Sequence, residues 1–164
     1  ADPVTLVDIF PTVLECVGAA PNSADAALPG ASLFAGAQRG SMPARTVLSE
    51  YHASTSPSGA FMIRHGAYKY IHYAGYAPML FDLEHDPFEL RDLAASPEHR
   101  QALAECEAAM RRVVDPESAD RRARRDQNAM IEELGGKEKI LGRGAIRHSP
   151  PPGVKATRIA AERA

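Results

Sequence analysis

The chain has 164 residues, 45% hydrophobic and 24% charged, with a formal net charge of -2 and two cysteines. That length and apolar share suffice for one domain with a real core, and the near-neutral balance excludes the strong field that draws nucleic acid or membrane surfaces. No apolar run approaches the ~18 residues of a membrane span, no signal peptide is visible, and Cys16 and Cys106, outside any CxxC spacing, read as free thiols.

The chain opens Ala1-Asp2-Pro3-Val4 without Met, the start expected of a truncated or processed product. The compartment stays open, with the cytoplasm preferred and the periplasm as the alternative. Thr5-Leu6-Val7-Asp8 has the shape of a capping box, with Asp for the usual Glu. Leu6, Ile9, Phe10, Val13, Leu14 and Val17 then recur at helical spacing, Pro11 fits only near the helix start, and Gly18 is a stop. A helix this apolar needs a large partner surface, which the following residues do not supply. It reads as left over from a missing α/β domain.

Residues 19–45 are rich in Ala, Gly, Pro and Ser and read as a loop with one short helix at 32–35. Strands are expected at 46–52, 61–64, 68–73 and 79–83. The second and third form a hairpin about His65-Gly66, and 53–59 is a flexible polar loop. Short strands with hairpin-length links imply an antiparallel sheet of about four strands, packed on helices: an α+β fold. Ser96-Pro97-Glu98 opens a helix with an apolar stripe of Leu103, Cys106, Met110 and Val113. Asp115-Pro116-Glu117 opens a polar one that stops at Gly135-Gly136. Its Arg121, Arg122, Arg124 and Arg125 make a solvated face rather than a nucleic-acid patch, because acids interleave and aromatics are absent. The expected organisation is 1–45, the end of a larger α/β domain and its connecting loop; 46–136, sheet and helices; and 137–164, a disordered tail carrying Pro150-Pro151-Pro152.

Five segments, in order, resemble the C-terminal region of the sulfatase family. Val7-Asp8-Ile9-Phe10-Pro11-Thr12-Val13-Leu14 with Gly18 is similar to the helix "VDhxPThh…G" that closes the family's α/β domain. Gly30-Ala31-Ser32-Leu33 is similar to a "DGxSL" turn, with Pro29 in place of Asp. Arg45-Thr46-Val47-Leu48-Ser49-Glu50-Tyr51 follows. Residues 62–71 resemble "hhRxGxYKYI", and residues 80–94 resemble "LFDLxxDPxExxNLA", with Asp92 for the usual Asn. The resemblance covers residues 4–113 and continues more weakly to Gly136. Read as residues, the last motif is structural: Leu80, Phe81 and Leu83 are strand core, Asp86-Pro87 sets a turn, and Glu89 and Asp92 cap or pair locally.

The resemblance implies a parent enzyme that hydrolyses sulfate esters, with a formylglycine made from Cys or Ser in [C/S]-x-P-x-R and a divalent cation, usually calcium. This chain is expected to carry no catalytic residue, no metal ligand and no cofactor. Its partners would be the missing N-terminal α/β domain and, through the parent, a small sulfate ester; homo-oligomerisation is open. Ser41-Met42-Pro43-Ala44-Arg45 matches the nucleophile pattern formally, but no acidic metal-binding strand precedes it and a strand follows, so an ordinary loop is the better reading. Asp82-x-Glu84-x-Asp86 lacks the Gly and Glu of a calcium loop. None of the six histidines shows close ligand spacing; His65, His85 and His99 are expected at the surface, and His72 on a sheet face with Tyr68 and Tyr70.

Glu50, Tyr51 and His52 are the candidate substrate contacts. They end a strand before a small polar loop, where scaffolds present binding groups, and relatives resembling choline sulfatases place an acid of a "GEY" segment near the organic part of the substrate, Ser49 here replacing Gly. The competing role for Glu50 is a surface pair with Arg45 or Lys69. Two further readings are a phosphate or phosphonate ester hydrolase of the same superfamily and a non-enzymatic interaction module.

Overall fold

In the computed structural model, residues 2–25, 27–52 and 56–142 are described, with the backbone of 145–146 and 158–159. They fall into two units, Ala1–Asp120 and Arg121–Ala164. The first opens with a 3-10 turn, Leu6–Asp8, running into helix α1, Ile9–Cys16. The turn forms because the Asp8 carboxylate accepts the Thr5 N–H at 2.8 Å, the acidic half of a capping box. The helix ends as the Ala19 N–H reaches the Leu14 carbonyl at 2.9 Å across Gly18.

Asp8 is wholly buried and is the node of this segment. Both its oxygens accept from the Arg45 guanidinium, one also from the Ala31 N–H at 3.0 Å. Arg45 donates a further bond to the Pro3 carbonyl at 3.1 Å, and Thr12 Oγ1 accepts the Leu33 N–H at 2.9 Å. Gly30, at φ 116°, passes so near the Val7 carbonyl that a Cβ would sit 2.4 Å from its oxygen. Motif residues Asp8, Thr12, Gly30 and Arg45 thus tie the first helix to the connecting loop. The short helix of that loop is α2, Phe34–Arg39, rather than 32–35: Ser32 Oγ accepts the Phe34 N–H at 3.2 Å and stays ahead of the helix.

A four-stranded antiparallel meander follows, β1 (Val47–Tyr51), β2 (Ala60–His65), β3 (Tyr68–Tyr73) and β4 (Met79–Asp82), paired in sequence order. Its register sets Glu50 opposite Phe61 and Phe61 opposite His72, Ile63 opposite Tyr70, and Tyr70 opposite Leu80. Partners share a face, so this alternation gathers Leu48, Ile63, Tyr70 and Leu80 on one side. Helix α3, Arg100–Val113, covers that side with Cys106, Ala109 and Met110. Val113, expected in the stripe, is 53% exposed; the smaller Ala109 takes the buried position between Cys106 and Met110. Burial pushes the Tyr70 hydroxyl up to about 12 and the Cys106 thiol up to about 11, so neither ionises near neutrality.

The turn after β4 is built by three aspartates. Asp82 Oδ1 accepts the Glu84 and His85 N–H groups, Asp86 Oδ2 the Arg91 N–H at 2.8 Å, and Asp92 Oδ1 those of Leu80 and Ala94, each at 3.0 Å. Glu89 holds φ 57°, a left-handed conformation uncommon outside glycine, and its carboxylate meets Lys69 Nζ at 2.5 Å. Helix α4, Pro116–Glu133, opens with Asp115 Oδ1 accepting the Ser118 N–H at 3.0 Å, and buries Pro116 and Ala119. In the second unit, Gly135 and Gly136 take φ 91° and 90° and turn the chain into helix α5, Lys137–Gly142. A helix therefore begins the stretch expected to be a disordered tail. Two-residue strands at Ala145–Ile146 and Arg158–Ile159 pair, and the rest of that tail lies outside the described residues.

Candidate functional site

The end of β1 does not bring all three candidate residues together. Glu50 shares its face with Phe61 and His72, whereas Tyr51, opposite Ala60, belongs to the other face and is half exposed. His52, one residue past the strand, returns to the Phe61 side. Its ring stands edge-on to Phe61, centroids 5.2 Å apart at 77°, and its Nε2 lies 3.5 Å from Glu50 Oε2. Phe61 is fully buried, so the imidazole rests on an immobile wall.

His72 approaches the other edge of Phe61, 6.4 Å between centroids. Its Nε2 is buried, 3.3 Å from Glu117 Oε1 but outside hydrogen-bond geometry. Glu117 turns instead to Arg111, whose two terminal nitrogens donate at 2.9 and 3.1 Å. Those bonds outweigh desolvation and hold the Glu117 carboxyl down to about 2. One turn on, Asp120 Oδ1 accepts the Gly59 N–H at 2.6 Å. One end of the sheet thus presents two histidines bracketing a phenylalanine, each beside a glutamate, with a third carboxylate fixing the end of the loop between β1 and β2. Residues 53–55 of that loop lie outside the described residues.

His72, read as a plain sheet-face residue, gains its setting from Glu117, 45 positions away in sequence; its period-2 placement beside Tyr70 was the one available signal. Neither Arg45 nor Lys69 pairs with Glu50, because Asp8 takes the first and Glu89 the second. His65 Nδ1 lies 2.7 Å from Thr46 Oγ1 and His99 Nδ1 3.1 Å from Ser96 Oγ, both part-buried rather than surface. His85 is exposed, and its hydrogen bond to Asp82 raises its pKa above the usual imidazole value. Ser41 is an exposed residue of the coil before β1, and the Arg45 of its pentapeptide is spent on Asp8. Among the described residues, no group of three or more His, Cys, Asp and Glu could hold a metal ion, and no helix is long and apolar enough to cross a membrane.

No family model matches the chain. Arylsulfatase K of Mus musculus is 38% identical over 104 residues, 56% of this chain and 18% of that protein. Choline-sulfatase of Rhizobium meliloti (strain 1021) is 35% identical over 98 residues, 58% of this chain and 18% of that protein. Among solved structures, a 2-O GAG sulfatase superposes on 74% of this chain and 26% of its own with a TM-score of 0.56 and 29% identity. Over these residues the chain resembles the C-terminal region of sulfatases. It spans about a fifth of the length of the curated sulfatases it matches. The residues that resemble sulfatase motifs are spent here on the scaffold: Asp8 on Arg45, and Asp82, Asp86 and Asp92 on the turn after β4.

Proposed function

We propose that the chain serves as the C-terminal subdomain of a sulfate-ester hydrolase, and that Glu50 and His52 border the organic part of its substrate. The observation that carries the reading is the 38% identity to arylsulfatase K over 104 residues. The choline-sulfatase match favours a substrate with a cationic group, which a carboxylate at position 50 would attract. The formylglycine and the cation would come from residues outside this chain, supplying an oxygen nucleophile and neutralising sulfate charge as attack develops.

In this role Glu50 and His52 act as a unit. The Glu50 side chain is 46% exposed and His52 23%, so both can meet a ligand at the strand end. The Glu50 carboxylate, 3.5 Å from Nε2, faces that edge of the imidazole. Tyr51 lies on the opposite face, half exposed, and does not share in that pair.

The test uses the full-length parent with its best sulfate ester. Glu50→Gln and His52→Ala should each lower kcat/KM tenfold or more, about 1.4 kcal/mol, with unfolding midpoints nearly unchanged. A parent that turns over no sulfate ester would overturn the assignment. Wild-type kcat/KM in both variants would leave the assignment and remove the substrate edge.

A further inference from the structure

His52 has its side chain 23% exposed, yet it is held from three directions. Phe61, without exposed surface, stands under it. Glu50 flanks its Nε2. The third wall is backbone: a Cβ on Gly59 would lie 2.9 Å from His52 Cε1, 3.0 Å from its Nδ1 and 3.0 Å from Phe61 Cε2. Contacts under 3.0 Å do not persist between carbons, so only glycine lets the chain pass there with the ring in place.

Gly59 is itself pinned. Its N–H donates to Asp120 Oδ1 at 2.6 Å, a short charge-assisted bond, and its carbonyl accepts the Ala74 N–H at 3.1 Å. Asp120 sits in the first turns of α4, which are anchored by buried Pro116 and Ala119 and by the double bond from Arg111 to Glu117. A continuous path runs from α3 through α4 to the backbone that backs the imidazole.

We propose that Asp120 and Gly59 are positioning residues for His52: Asp120 fixes the Gly59 backbone, and the bare Gly59 backbone fixes the imidazole beside Glu50 at the substrate edge. The inference rests on Glu50 and His52 bordering substrate. Neither residue touches the substrate; both act through the ring. Asp120 lies 61 residues from its partner, and no local pattern marks it as part of the site.

The experiment is a double-mutant cycle in the full-length parent, read as kcat/KM on its best sulfate ester. Gly59→Ala and Asp120→Ala should each lower kcat/KM fivefold or more. Asp120→Asn, which keeps an acceptor for the Gly59 N–H, should recover at least half of wild type. In the His52→Ala background, Gly59→Ala and Asp120→Ala should cost less than twofold further, because the ring they displace is gone. A purely structural role predicts the opposite: unchanged fold-losses in both backgrounds, which would overturn the proposal. If Gly59→Ala does not fold, the Asp120 cycle decides alone. Should His52→Ala leave kcat/KM at wild type while the parent remains an active sulfatase, the positioning role fails and the sulfatase assignment stands. A parent inactive on every sulfate ester fails both.

Discussion

Asp8 is a motif residue whose carboxylate is committed to the scaffold, to Arg45 and to the Ala31 and Thr5 N–H groups. Burial alone would push its carboxyl up, but the bonds from Arg45 and from the Ala31 and Thr5 N–H groups outweigh it and bring the pKa to about 2, against an ordinary 3.8. The folded state therefore binds the proton less readily than the unfolded state. The stabilisation is complete above about pH 4 and fades as pH falls toward 2. In urea unfolding, the gap between wild type and Asp8→Asn should narrow across that window; a gap constant from pH 6 to 2 would mean the node is not ionic. Arg45→Ala, which leaves the buried carboxylate unpaired, should cost about 3 kcal/mol. Arg45→Lys should restore only part, since one ammonium cannot serve both carboxylate oxygens and the Pro3 carbonyl. Asp92 is the contrasting case. Its one oxygen accepting from Leu80 and Ala94 needs no charge, so Asp92→Asn should stay within about 0.5 kcal/mol while Asp92→Ala loses about 1 kcal/mol or more.

Helix α1 and the sheet lie at opposite ends of burial. Leu6, Ile9, Phe10, Val13 and Val17 are 83%, 54%, 45%, 52% and 69% exposed, and α1 buries no residue. A surface this apolar on one helix seeks a cover, so the chain on its own should self-associate and bind a hydrophobic dye. Val13→Lys with Phe10→Glu should suppress both without lowering the unfolding midpoint; a monodisperse, dye-silent wild type would count against an uncovered face. In the meander, Ile63 and Leu80 have no exposed surface, so truncating either to Ala should cost about 3 kcal/mol in thermal or urea unfolding. Val113→Ala, at a position assigned to the core by helical spacing but open to solvent, should change stability by less than about 0.5 kcal/mol.

For the molecule as a whole, the chain alone should not turn over an aryl sulfate, with or without added calcium. The reason is specific: the one formal nucleophile pattern lies in coil and has its arginine committed to Asp8. Ser41→Ala should leave the parent's activity unchanged, and turnover by the isolated chain that this substitution abolishes would reverse the assignment of Ser41 to an ordinary loop.

Local pattern was enough for the four strands of the meander and for the helices that follow Ser96 and Asp115, but not for α5 or the bounds of α2. Residues 68–73 read as a strand because they form the second arm of a hairpin about His65-Gly66, and Ser96-Pro97-Glu98 marks a helix start through its own backbone chemistry. The "LFDLxxDPxExxNLA" stretch, together with residues 62–71, carried the resemblance, because its aspartates bond to backbone groups within a dozen residues and so leave a signature in sequence. The edge of the candidate site was legible only as a strand end before a polar loop. What tertiary structure alone decided is where long-range partners fall: Arg45 on Asp8 instead of Glu50, Glu117 beside His72, and Asp120 on Gly59. Each joins residues 37 to 61 positions apart. No spacing rule reaches that far, because such pairs depend on how residues 116–120 and the connecting loop pack within the first unit, and packing is settled by the sum of burial over that unit rather than by any one segment.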